Sequence, residues 1–205
     1  MYESFFEMKH TPFTRDIPVG RLYTSPQIED ALGRLVYVVD HQMFAVVTAN
    51  PGCGKSTMVR MLDGRLGLGK DMLEELRFLL NYRFDSTSPM SLVLVGQTEL
   101  WEQKLKLQAY EAIRQRIDMN IVLGRLDRAE TGKYVASHMA YAGAKKEIFT
   151  SGAEDEVYKI SAGIPRMINR VCEKALMYAC QQQKRLVDEH MVRFVADHEM
   201  LGGVG

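Results

Sequence analysis

Nine consecutive residues, Ala49–Thr57, read A-N-P-G-C-G-K-S-T and combine three kinds of chemistry in one short loop. Gly52 and Gly54 let a backbone curl so that its N–H groups converge on an anion. Lys55 supplies a point charge for phosphate oxygens, and the Ser56 hydroxyl is placed to ligate Mg²⁺ beside them. The spacing is a small residue, four of any kind, then Gly-Lys-Ser, with Ala49 in the small slot. That spacing is the phosphate-binding loop of nucleotide-binding proteins, which works only between a buried strand and the amino end of a helix. The expected ligand is ATP or ADP with Mg²⁺, held by Asn50, Pro51, Gly52, Cys53, Gly54, Lys55, Ser56 and Thr57. Cys53 sits where amide dipoles lower a thiol pKa; the plainer expectation is that it fills an unconstrained slot.

Both flanking elements are legible. Met43–Thr48, M-F-A-V-V-T, is an unbroken apolar and β-branched run, the pattern of a strand covered on both faces. From Lys55 the spacing of Met58, Val59, Met61 and Leu62 predicts a helix to about Asp63, with Gly64, Gly67 and Gly69 interrupting beyond it. Upstream, Ile28, Ala31, Leu32, Leu35 and Val38 predict a helix over Pro26–Asp40, with Ser25 as cap and Pro26 at the first helical position. Downstream, a helix is expected over Met72–Phe84 and a turn at Ser86–Pro89. Ser91–Gly96 follows as a second buried strand, Thr98 opens a helix, and Met119–Leu123 is a third strand. Past Asp127 the periodicity is helical, with breaks at Gly143, Gly152, Gly163–Pro165 and Lys184–Val187. The aromatics and prolines of residues 1–25 lack periodicity and suit an irregular segment wrapped on a core. An α/β domain, 1–126, is therefore expected before a helical domain, 127–205.

Composition sets limits. Hydrophobic residues make up 46% and charged residues 25% of the 205, which excludes wholesale disorder. Lys+Arg and Asp+Glu both number 26, so the chain lacks the basic excess of a dedicated nucleic-acid binder. Basic residues gather only locally, at Arg114 and Arg116, Arg125 and Arg128, Lys145 and Lys146, and Lys184 and Arg185. Cys53, Cys172 and Cys180 show no disulfide or zinc spacing, and the five histidines are scattered. No membrane-spanning run or export signal is present, so a cytoplasmic location and no membrane insertion are expected.

Read in order, Y-E-S-F-F at Tyr2–Phe6, P-F at Pro12 and Phe13, L-Y-x-S at Leu22–Ser25, the phosphate loop, L-V-L-V-G-Q-T-E-L at Leu92–Leu100, R-Q-R-I at Arg114–Ile117 and G-I-P-R-M-I-N at Gly163–Asn169 resemble the ExeA-type AAA+ ATPases. That family includes the general secretion pathway A component and transposition ATPases similar to TniB and TnsC. The resemblance spans nearly the whole chain. It implies a P-loop NTPase (AAA+) core of three layers, followed by a small all-helical lid. It further implies that Gln97 resembles the sensor 1 group orienting the attacking water, Arg166 the sensor 2 arginine reaching the γ-phosphate, and Arg116 the finger offered to a neighbouring subunit, with Arg114 its competitor. Pro12 and Phe13 would approach the adenine or lie in the core.

One departure matters for catalysis. The family carries an apolar strand ending in Asp-Glu between the phosphate loop and sensor 1, whereas the acids within residues 56–96 are Asp63, Asp71, Glu74, Glu75 and Asp85, none after a four-residue apolar strand. A segment is expected to be missing near Arg65–Lys70: if the polypeptide is this short, a shortened parallel sheet of about three strands binds nucleotide but hydrolyses it feebly, whereas if the full protein carries the stretch, hydrolysis is normal. The resemblance implies a ring or filament formed on nucleotide binding, with DNA and a transposase as partners. The alternatives are an ExeA-type secretion ATPase, which would add a membrane segment and a peptidoglycan-binding part after Gly205, and a nucleotide-sensing module without turnover.

Overall fold

The computed structural model describes residues 2–66 and 91–199. These fall into two compact units, Pro26–Gly124 on one side and Met1–Ser25 with Arg125–Gly205 on the other. Residues 1–25, however, join the helical unit rather than the α/β unit they precede.

In the α/β unit, helix α2 (Pro26–Asp40) packs on strand β1 (Phe44–Ala49) and on helix α3 (Lys55–Leu66). Strands β2 (Leu92–Gly96) and β3 (Ile117–Leu123) flank β1 in parallel, giving the order β2-β1-β3 among the described residues. All six residues of β1 are buried, which fits its unbroken apolar composition. β2, expected to be buried, differs from that expectation in its cover. β2 is only half-buried, with Val95 40% exposed, and β3 alternates, turning Asp118, Asn120 and Val122 outward and burying Ile121 and Leu123. A strand at the sheet margin needs only one covered face, and apolar composition alone did not reveal which strand was central.

Two helical details also depart from the sequence reading. α3 runs through Gly64 to Leu66, where Arg65 forks onto the Glu29 carboxylate of α2 at 2.7 and 2.8 Å. That exposed ion pair joins the last turn of α3 to α2. The helix expected over Met72–Phe84, the turn before β2 and the acids from Asp71 to Asp85 lie outside the described residues. A short helix α4 (Thr98–Glu102) follows β2, and another, α5 (Glu111–Arg114), precedes β3. Gln27 ties the two ends of this unit together, donating to the Val122 carbonyl at 3.4 Å and accepting from the Gly124 N–H at 3.1 Å.

The helical unit is built from α6 (Arg128–Ala142), α7 (Ser151–Ser161), α8 (Pro165–Gln181) and α9 (Glu189–Glu199). α6 opens with a capping box between Asp127 and Glu130, and α7 with a Thr150 cap, so Gly152 lies inside the first turn of α7 instead of breaking the chain. Ile168, Val171, Cys172, Ala175, Leu176 and Ala179 form the buried stripe of α8. Burial pushes the Cys172 thiol well above its usual range, leaving it an apolar core group.

The amino-terminal segment, which begins with a single helical turn, α1 (Tyr2–Phe5), belongs to this unit because Tyr2, Phe6 and Phe13 are buried in the same cluster. Phe13 lies flat on His138, with ring centroids 4.9 Å apart, and its N–H donates to His138 Nδ1 at 3.1 Å. Arg185 donates to the Phe5 carbonyl and stacks its guanidinium over the Phe5 ring at 4.4 Å.

His138 is 4% exposed, and burial lowers its pKa from 6.5 to about 4. Its neutral form therefore contributes stability in full above about pH 6.5, and that contribution is lost as pH falls toward 4. The loss should approach about 3 kcal/mol at the acid end. Urea unfolding at pH 7 and pH 4.5 should show this slope, and His138→Asn, which keeps an acceptor for the Phe13 N–H without a proton to gain, should flatten it.

Candidate nucleotide site

The loop expected to hold phosphate lies at the carboxyl end of the middle strand, where parallel α/β sheets place ligands. Gly52 and Gly54 adopt φ of 87° and 88°, a left-handed conformation costly to any residue with a Cβ. The Cys53 N–H closes a turn onto the Asn50 carbonyl at 3.3 Å, and α3 begins at Lys55. The first-turn N–H groups of a twelve-residue helix thus face the same space as the curled loop. Lys55 reaches back across the loop, its ammonium donating to the carbonyls of Ala49 at 2.6 Å and Asn50 at 3.1 Å. Ser56 is exposed at the helix start, as a ligand to an incoming ion must be. Cys53 is 4% exposed, which supports its plainer reading as a packed residue.

Gln97 is brought to this loop. Thr48 of β1 pairs with Gly96 of β2, so the next residues, Ala49 and Gln97, are neighbours where the strands end. Gln97 is exposed, and as N-cap of α4 it makes no side-chain capping bond, which leaves its amide available. The following residue, Thr98, donates from its hydroxyl to Asn50 Oδ1 at 3.2 Å. This bond went unforeseen because it depends on register, which places Thr98 beyond β2 opposite Asn50. A second polar group missed by sequence is the Thr48 hydroxyl, buried with no hydrogen-bond partner in the described structure.

The arginines fall elsewhere. Arg116 and Arg114 stand before β3, whose first residue, Ile117, pairs with Phe44 at the start of β1. They are therefore a strand's length, roughly 16 Å, from the loop of their own unit. Arg166 is exposed on the first turn of α8 in the helical unit. Its motif has a structural logic of its own. Gly163 turns at φ 71° and its carbonyl accepts from the Leu126 N–H at 2.9 Å, Pro165 occupies the first helical position, Ile168 is fully buried, and Asn169 accepts from the Tyr134 hydroxyl at 2.9 Å. Burial raises the Tyr134 pKa, so the phenol remains a donor. Phe13 lies in the helical core, in keeping with the packing reading. Among the described residues no group of three or more His, Cys, Asp or Glu could hold a metal, and no helix is long and apolar enough to cross a membrane.

The fold is that of the AAA+ P-loop ATPases. Solved structures of similar architecture include the RuvB Holliday junction branch migration motor of Thermotoga maritima, with a TM-score of 0.58 at 12% identity over 85% of this chain and 69% of that one. The ORC1 protein of Aeropyrum pernix in complex with DNA gives a TM-score of 0.62 at 11% identity, over 90% of this chain and 68% of that one. By sequence the chain is 33% identical over 156 residues to general secretion pathway protein A of Aeromonas hydrophila, a match to 75% of this chain. The chain spans 27% of that relative's length. No protein-family model matches the sequence.

The two left-handed glycines can be told apart by substitution. A Cβ at Gly54 meets nothing within 4 Å, whereas one at Gly163 would lie 1.8 Å from the Leu126 carbonyl oxygen. Gly54→Ala should cost only the backbone conformation, about 1–2 kcal/mol. Gly163→Ala should add a backbone collision and cost more than about 3 kcal/mol. Thermal unfolding of the two variants checks the order.

Proposed function

We propose that the chain is an ATP-binding AAA+ unit that takes ATP or ADP with Mg²⁺ at Ala49–Thr57 and couples nucleotide binding to self-association. The observation that carries this reading is Lys55: its ammonium is held by the Ala49 and Asn50 carbonyls at the start of the loop that Gly52 and Gly54 curl, and phosphate oxygens, as charged acceptors, would outcompete those carbonyls. The residues fit a magnesium nucleotide on the loop side, where Ser56 would hold the ion, which when bound would neutralise charge on the phosphates. Gln97 would orient water and Arg166 would reach the γ-phosphate from the helical unit, taken here as a lid domain. Arg116, remote from its own loop, suits a role toward a neighbouring copy.

An acidic partner for the ion is not found among the described residues near the loop. Asp118 is spent at the far end of β1, accepting from the Phe44 N–H at 2.9 Å, and Asp63 is exposed in the last turns of α3. Slow turnover is proposed on the sequence alone, because none of the acids between Lys55 and Gln97 follows a four-residue apolar strand.

Two processes could be served. Regulation of DNA transposition or processing, with a transposase as partner, is supported by the order of motifs and by exposed basic side chains such as Arg114, Lys145 and Lys146. A secretion ATPase domain is favoured by the relative's name.

Fluorescent ADP and ATP binding with Mg²⁺ should be lost on Lys55→Ala, by at least about 100-fold, the scale of charge-assisted hydrogen bonds removed from a phosphate. Sedimentation of the same samples should show ATP-dependent association, and adding DNA at low salt separates the two processes. Wild-type affinity in the lysine variant would refute the nucleotide reading.

A further inference from the structure

Beyond the pair Thr48 and Gly96 the ladder between β1 and β2 ends, and the two chains separate, one into the phosphate loop and the other into α4. The bond from the Thr98 hydroxyl to Asn50 Oδ1 bridges them just past that point. Asn50 is engaged twice, because its carbonyl also receives the Lys55 ammonium at 3.1 Å. Lys55, Asn50 and Thr98 therefore form a continuous polar chain from the phosphate-facing cation to the first residue of α4. Gln97 lies immediately before that residue and has no capping bond of its own to fix it.

We propose that Thr98 is a positioning residue, which through Asn50 couples occupancy of the phosphate loop to the placement of Gln97 and α4. The inference rests on the nucleotide reading above. Its physical basis is competition for Lys55. A phosphate oxygen is a charged acceptor and forms a shorter, stronger bond to an ammonium than an amide carbonyl does. Drawing Lys55 toward phosphate releases the Asn50 carbonyl, and the Asn50 backbone settles into a loop organised around the anion. Its side chain carries that change to Thr98. Buried β1 and its hydrogen-bonded ladder with β2 give no such freedom, so the response is confined to the residues after Gly96. Without the hydroxyl, the loop would still bind nucleotide through its backbone and Lys55, but α4 would not register it.

The test is hydrogen exchange of the backbone amides of Thr98–Gln103 in the full chain, with and without saturating Mg²⁺-ADP or a non-hydrolysable Mg²⁺-ATP analogue. In the wild type, nucleotide should slow exchange there by about fivefold, the size one neutral hydrogen bond supports. Thr98→Val should keep its affinity within about twofold, since neither the loop backbone nor Lys55 is altered, and lose the slowing. Thr98→Ser should restore it. Should Thr98→Val fail to fold, Asn50→Ala breaks the same bond from the other side and should lose the slowing at its own saturation. A wild type that binds nucleotide without protecting this segment, or a Thr98→Val protected like wild type, overturns the coupling alone. A folded wild type that binds no nucleotide overturns both the coupling and the reading beneath it.

Discussion

A cation placed among positive dipoles sets the terms for the α/β unit. The amino end of α3, the curled loop amides and the Lys55 ammonium all direct positive charge into one space. The carbonyls of Ala49 and Asn50 offset that concentration by accepting from Lys55. They can do so only because β1 delivers them to one place. β1 is the middle strand, buried along all six residues and paired on both edges, so its carboxyl end has little freedom. The same register that fixes Ala49 fixes Gln97 beside it. Loop, lysine and polar strand end thus depend on one buried strand being central.

The helical unit solves a different problem, that of fixing an amino-terminal segment with little secondary structure of its own. It does so with aromatic seats joined to polar tethers. Phe13 is held by stacking on His138 and by its N–H on the same imidazole, while Phe5 is held by Arg185 through its ring and its carbonyl. Tyr134 continues the series, with its ring against Tyr23 at 5.8 Å and against His138 at 4.4 Å and its hydroxyl on Asn169. Three stretches that stand apart in sequence, Pro12–Phe13, Leu22–Ser25 and Gly163–Asn169, meet along this row. A buried neutral histidine accepts from a backbone N–H without the desolvation cost of a charge, so the tether suits neutral pH and weakens in acid.

The legible parts of the fold were those governed by local rules. The α2 boundaries follow from periodicity and the proline at its start, and the loop follows from its glycines and lysine between an apolar strand and a helix. Less legible were features decided by partners distant in sequence. Gly64 lies inside α3, next to an Arg65 that pairs with Glu29 of a helix far away in sequence. Gly152 is a local exception, since it lies in a first turn capped by Thr150 only two residues before it. β2 and β1 look equally suited to burial, yet only one is central. Residues 1–25 were recognisable as core-associated, but nothing local says that the core they join is encoded after residue 125. In the candidate site, Lys55 and Ser56 were readable from spacing, whereas Thr98 needed the register of two strands before it met Asn50.

The glycines show how far a motif residue can be divided into functional and structural parts. Gly54 and Gly163 both have positive φ, and both belong to segments that stand out in the sequence. What surrounds them differs. The space a side chain would take at Gly163 is already filled by the Leu126 carbonyl, whose own N–H is held by the Gly163 carbonyl, so this glycine is explained by the folding of its turn. At Gly54 the same direction is open, and no contact within the protein accounts for the residue. Backbone conformation alone would require a glycine there, but an unfilled approach beside the amino end of a helix and a lysine is also what close access of an anion to backbone N–H groups demands. The motif around Arg166 is therefore explained largely by packing, whereas the loop around Lys55 leaves the approach to its Gly54 backbone open.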